Sequence, residues 1–136
     1  MDNSFIEQIV SHLEFLGYEV HVTYSEGDKV EFVSAKHPYR SNILFRPYLD
    51  GFLFQLFYAT HESTKDRYDE FLDYVNNLNK CASIARMYCD DNRDLVIEAW
   101  LSPIYDKVAF GRFIDAWDND ARVNLAKDNR TSGFLI

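Results

Sequence analysis

The run Phe52-Leu53-Phe54-Gln55-Leu56-Phe57-Tyr58-Ala59 is apolar on both of its faces. A strand with one face in water alternates apolar and polar residues, because successive side chains point to opposite sides of the sheet. This strand needs cover on both sides, which places it in the interior of a sheet. Residues 94–101 carry the same two-sided pattern in Leu95-Val96-Ile97-Glu98-Ala99-Trp100-Leu101. Only three amphipathic helices are available to cover such strands. One sheet face is therefore left for a second copy or a client to cover.

The helices and remaining strands follow from period and punctuation. Ser4 with Glu7 forms a capping-box pattern, and Phe5, Ile6, Ile9, Val10, Leu13 and Leu16 recur at helical spacing. Gly17 stands where a helix stops in the left-handed conformation. Residues 18–24 alternate with period two, placing Tyr18, Val20, Val22 and Tyr24 on one face. Ser25-Glu26-Gly27-Asp28 is a turn, followed by strands at 29–35 and 41–46. Leu49-Asp50-Gly51 supplies the next turn, with Gly51 expected to take the positive φ.

Ser63 or Thr64 is expected to cap a second helix striped by Tyr68, Phe71, Leu72, Val75 and Leu78, ending at Asn79-Lys80. Strands at 82–89 and 94–101 flank a turn through residues 90–93. A third helix starts near Asp106, with Val108, Ala109, Phe110, Phe113, Ile114, Trp117 and Ala121 facing inward. Residues 124–136 are expected to fray, although Phe134-Leu135-Ile136 is apolar enough to dock. The order is helix, antiparallel strands, helix, hairpin, helix. This is an α+β arrangement in a single domain, residues 1–136 with a core at about 4–123, and not a βαβ alternation.

Hydrophobic content of 47%, with eleven Phe and nine Tyr among 136 residues, is enough for a real core and rules out a disordered chain. A formal charge of −8 repels phosphate backbones, so no nucleic-acid partner is expected. It suits partners with basic surfaces. The start of the chain lacks a basic, then apolar, leader pattern, and no stretch is apolar enough to span a bilayer. The expected location is cytoplasmic, without membrane contact. Cys81 and Cys89 would sit too far apart along one extended strand for a disulfide and are expected to be buried thiols.

No motif carries chemistry. Asp90, Asn92 and Asp94 alternate as in a calcium loop, but the sixth and twelfth positions are Leu95 and Leu101, where Gly and Glu are needed. A solvated turn explains them. His12, His21, His37 and His61 are scattered without zinc spacing. No nucleophile elbow or phosphate loop is present. Asp115, Asp118 and Asp120, with Lys107, Arg112 and Arg122 nearby, read as an exposed charged helix face. Asn129-Arg130-Thr131 is a chance sequon. The expectation is a non-enzyme with no catalytic residue, no metal and no cofactor.

Aromatic residues are the one excess. Phe45, Tyr48, Phe52, Phe54, Phe57, Tyr58, Tyr88 and Trp100 lie on or beside strands. About half of them belong in a core. The rest would form an apolar sheet face rimmed by charge, and Phe57, Tyr88 and Trp100 are the candidate protein-binding residues.

The segment Ser83-Ile84-Ala85-Arg86-Met87-Tyr88-Cys89-Asp90-Asp91-Asn92-Arg93-Asp94-Leu95-Val96-Ile97-Glu98-Ala99-Trp100-Leu101, set between two helices, resembles the YbjN-like family of bacterial proteins. These are described as candidate sensory transduction regulators. The resemblance covers roughly residues 4 to 123 and is one of structural pattern, a turn and a buried strand. It implies a fold similar to class I type III secretion chaperones: small, acidic, often dimeric, with a twisted antiparallel sheet and flanking helices. It implies a non-enzymatic binding module, chaperone-like or regulatory, forming a homodimer and receiving an extended or amphipathic segment of a protein partner. Two alternatives stay open. One is an immunity protein masking a basic toxin site. The other is a small-molecule-sensing domain whose polar strand residues His21, Glu31, Arg46 and Gln55 would line a pocket.

Overall fold

Six antiparallel strands form one sheet in the computed structural model, which describes residues 4–136. The elements run α1 (Ser4–Phe15), β1 (Glu19–Tyr24), β2 (Val30–Lys36), β3 (Ile43–Tyr48), β4 (Gly51–Tyr58), a 3-10 turn (Glu62–Arg67) and α2 (Tyr68–Cys81). They continue with β5 (Arg86–Cys89), β6 (Leu95–Leu101), α3 (Lys107–Asp118), a π-helical turn (Asn119–Val123), α4 (Asn124–Lys127) and α5 (Thr131–Phe134). Spatial order is β1-β2-β3-β4-β6-β5, so β4 has a neighbour on each side, as its two-sided apolarity requires. The fold is α+β.

One sheet face holds the core. Phe5, Ile6, Ile9 and Leu13 of α1, Phe71, Tyr74, Val75 and Leu78 of α2, and Phe110, Ile114 and Trp117 of α3 join a single cluster with alternate strand residues. Those strand residues include Val33, Phe45, Phe52, Phe54 and Ile97. Phe5 stacks on Phe52 at 4.9 Å between ring centroids, and Trp117 meets Phe54 edge-on at 5.7 Å. Such aromatic geometry adds to what burial alone contributes. α1 ends as expected: Gly17 has φ +95°, Tyr18 N–H donates to Leu13 O and Gly17 N–H to Glu14 O, both at 3.0 Å. This double closure is the Schellman arrangement, and glycine accepts its left-handed residue without strain.

Several expectations are corrected. Leu72 is exposed and Tyr74 takes its place in the α2 stripe. Neither Ser63 nor Thr64 caps α2; the Thr64 hydroxyl is buried and donates to Phe134 O at 3.3 Å. Val108 and Ala109 are exposed in the first turn of α3, which Asp106 caps by accepting from Ala109 N–H at 2.8 Å. Cys81 is exposed at the end of α2 and Cys89 is half-buried, so the expected pair of buried thiols is absent. Residues 124–136 do not fray: Phe134 and Leu135 are buried, and Leu135 bridges to Thr60.

The β3–β4 hairpin also departs from expectation. Positive φ falls on Leu49 (+47°) and Asp50 (+58°), the two central residues of a two-residue loop. Gly51 is needed for a different reason. A Cβ there would lie 2.3 Å from Trp100 Cζ2 and 2.6 Å from Leu101 O. Gly51→Ala is therefore expected to destabilise the fold by ~1–3 kcal/mol, the usual cost of overpacking. Urea unfolding followed by tryptophan fluorescence measures it; an unchanged midpoint would show that the indole moves aside freely.

The fifth strand is shorter than expected, and Asp120 is the cause. Its carboxylate is fully buried and accepts from Ser83 N–H (2.8 Å), Ile84 N–H (2.8 Å) and Ala85 N–H (2.9 Å). Those amides are thereby withdrawn from any ladder, and pairing begins only at Arg86. Asp118 is buried as well, accepting from Ser41 N–H at 2.8 Å and held by Arg122. The expected exposed acidic face of α3 thus reduces to Asp115, which pairs with Arg40 at 2.9 Å.

Candidate functional site

Strand register assigns the residues of the second sheet face. Across β3, β4, β6 and β5 the face carries Arg46 opposite Leu53, Leu53 opposite Trp100, Gln55 opposite Glu98, and Glu98 opposite Arg86. Phe57 and Tyr88 lie opposite Val96 from its two sides. Tyr48 sits two residues beyond Arg46 on the same face. The buried residues of α1, α2 and α3 all belong to the other side, and Leu53 and Val96 stand outside that cluster although both are buried. What buries them is the side chains of their own face.

The three candidate residues thus come together on the face that the helices leave open. Phe57 is 53% exposed, Tyr88 39% and Trp100 48%. The eight aromatics named from the sequence divide cleanly: Phe45, Phe52 and Phe54 are core, Tyr58 is half-buried against it, and Tyr48, Phe57, Tyr88 and Trp100 are exposed. Trp100 is pinned, not loose. Its indole N–H donates to Tyr48 O at 2.9 Å and its ring lies over Gly51. The Arg46 guanidinium stands 5.2 Å above the Tyr48 ring, a cation–π contact that holds a second aromatic in place. Beyond them Leu49 projects from the hairpin tip, exposed.

Glu98 organises the middle of the face. Only 3% exposed, it accepts from Gln55 Nε2 (2.7 Å) and the Tyr88 hydroxyl (3.1 Å) and forms an ion pair with Arg86. Burial pushes its carboxyl up. The hydrogen bonds from Gln55, Arg86 and Tyr88 and the charge of Arg86 outweigh that, and Glu98 titrates below the ordinary range. A buried charge is tolerable only when so satisfied. The network ties β4, β5 and β6 together and fixes Tyr88. Its hydroxyl is raised by burial first and then by the Glu98 carboxylate, so the neutral, donating form persists.

Beside Phe57 the face dips into an apolar hollow of about 320 Å³ lined by Phe32, Leu44, Arg46, Leu53, Gln55 and Phe57. It contains two of the four polar strand residues considered for a ligand pocket, Arg46 and Gln55. His21 and Glu31 are not in its lining. A larger, open groove of about 720 Å³ lies between α1 and the start of α3, where His12 and the Tyr105 hydroxyl are 2.9 Å apart. Burial first, and then Lys107, lower the pKa of His12.

The Asp90 turn holds its own backbone: Asp90 Oδ1 accepts from Asn92 N–H (3.0 Å) and Asp94 N–H (2.9 Å). Among the described residues no group of three or more His, Cys, Asp or Glu is placed to hold a metal ion. No helix of the described residues is long and apolar enough to cross a membrane.

Sequence reasoning found the aromatics but missed Phe32, Leu44 and Glu98 as parts of the face. Period two would have grouped each with its strand neighbours. Joining strands into one surface requires their register, which no single strand encodes.

No family model matches the sequence, and no curated protein matches it. Among solved structures, the chain is similar to YbjN of E. coli, described as a putative transcription regulator. The TM-score is 0.66 at 14% identity, covering 96% of this chain and 95% of that one. The expected YbjN-like fold is therefore present over nearly the whole chain.

Proposed function

We propose, from a fold shared with YbjN, that this chain is a non-catalytic regulatory module that binds a partner protein on its open sheet face. The observation that carries this reading is the open aromatic surface: Phe57, Tyr88 and Trp100 stand exposed above buried Leu53 and Val96 with no helix packed over them, and hydrogen bonds hold Tyr88 and Trp100 in place. Aromatic anchors held rigid before binding lose little entropy on association, and such residues dominate interface energetics. The hollow beside Phe57 accepts one apolar side chain of the partner.

Charge refines the partner. Strand residues on this side supply Lys36, Arg46 and Arg86 against Glu19, Glu31 at the β2 register shift and the buried Glu98, whereas the whole chain carries −8. The fitting segment is apolar with a carboxylate to meet Arg46. YbjN's description concerns transcription; an acidic chain favours acting through a protein over contacting DNA.

The test is a matched capture. A protein retained by the native chain is purified and titrated against the native chain and Phe57→Asp. Phe57 is exposed, so the variant is expected to keep its melting temperature and to lose at least tenfold in affinity, the scale of a central anchor. Equal affinity of both forms would place the partner elsewhere and remove this reading.

A further inference from the structure

The two edges of the sheet are treated in opposite ways. At the β5 edge, Asn79 of α2 donates from Nδ2 to Met87 O (2.9 Å) and accepts from Met87 N–H at Oδ1 (2.8 Å). The side-chain amide occupies the position that a neighbouring strand would take. The Asp120 carboxylate claims the three amides just before it. This edge is closed by design.

The β1 edge has no such closure. Among the described residues β1 pairs with β2 alone, and no side chain hydrogen-bonds to the backbone of residues 19–24. The strand Glu-Val-His-Val-Thr-Tyr has neither Pro nor Lys, and its register is regular until the shift between Thr23 and Tyr24. Proteins normally blunt a regular edge with a bulge, a proline or an inward charge, because its free amides and carbonyls template pairing. Val20 and Val22 face the core but remain half-buried at its margin.

We propose that β1 pairs antiparallel with β1 of a second copy about a two-fold axis through His21, joining two sheets into one. This rests on the edge geometry and not on the open-face reading above. The occupant is a second copy because the strand matches itself. In a continuous antiparallel sheet, directly opposed residues share a face, so a two-fold normal to the sheet must centre on a residue. Centred on His21, it sets Val20 against Val22 of the partner subunit, twice, on the helix side, where both valines have surface left to bury. On the other side Glu19 meets Thr23 of the partner subunit, and His21 meets His21 of the partner subunit. No two carboxylates oppose each other directly. The joined sheet places the two open faces side by side. A six-residue edge buries less than a standard interface of roughly 1,200 Å² or more, so the dimer is concentration-dependent.

Sedimentation equilibrium over a concentration series is expected to move from the 16.0 kDa monomer to twice that mass. His21→Glu, which sets four carboxylates together across the axis, is expected to abolish the dimer and leave the circular dichroism unchanged. In a Cys81→Ser, Cys89→Ser background, His21→Cys is expected to cross-link under mild oxidation. Thr23→Cys is not, since it lies about 13 Å from its copy along the strands. A chain that stays monomeric up to about 1 mM overturns the proposal. So does a dimer that survives His21→Glu, or cross-linking at Thr23→Cys in place of His21→Cys.

Discussion

Removing residues 131–136 is expected to unfold the domain. The segment inserts Phe134 and Leu135 into the core, where the Phe134 ring meets Tyr74 at 5.3 Å and Phe71 at 5.4 Å. Its backbone closes the space between β4 and α2. His61 N–H donates to Phe134 O (2.8 Å), Ile136 N–H to Ala59 O (2.9 Å), and the Thr131 hydroxyl pairs with that of Tyr74 at 2.8 Å. Two buried apolar side chains and several hydrogen bonds amount to about 5–8 kcal/mol. That is comparable to the whole stability of a domain this size. Far-ultraviolet circular dichroism and a urea titration of the truncated chain read the loss. A segment that merely frayed would leave the midpoint where it was. Phe134→Ala is the milder version, expected to cost ~3–5 kcal/mol and to leave a folded, weakened protein.

Asp120→Ala is expected to cost ~3–5 kcal/mol, because it strands three amide donors from one turn and removes the group that closes the gap between α2 and β5. Asp120→Asn keeps one oxygen in place and is expected to recover part of that stability. The comparison is diagnostic. An exposed helical aspartate would tolerate either change within about 0.5 kcal/mol. Thermal melts of the two variants beside the native chain decide it, and equal melting temperatures for all three would show that solvent replaces the carboxylate at no cost.

Asp120 also shows where reading a sequence stops. Asp115, Asp118 and Asp120 sit within six positions among basic residues, and local pattern sees only a charged face. Whether a carboxylate is buried depends on who else brings unpaired donors to it. For Asp120 those donors come from residues 83–85, and for Asp118 from Ser41, both far away in sequence. Gly51 is a similar case. Glycine in a hairpin suggests a positive φ, but its partner is the Trp100 indole from β6, two strands later in the chain. For residues 124–136 local pattern predicts fraying, with only Phe134-Leu135-Ile136 apolar enough to dock; the partners that hold the segment, Arg67, Tyr74 and Thr60, lie far away in sequence.

What the sequence by itself determined is the set of elements and the constraint among them. Helical spacing and Gly17 set α1, period two set the strands, and the two-sided apolarity of β4 and β6 placed them inside a sheet with more surface than three helices can cover. These are properties of single segments, written in which residues alternate and where the chain must stop. Only the tertiary structure decided which side of the sheet the helices take. Period two says that Phe57 shares a side with Leu53, and that Trp100 shares one with Val96. It cannot say that these sides are the same one, or that it is the side left open. That follows from register between strands and from the packing of all three helices on the opposite face. These set Phe57, Tyr88 and Trp100 in the open.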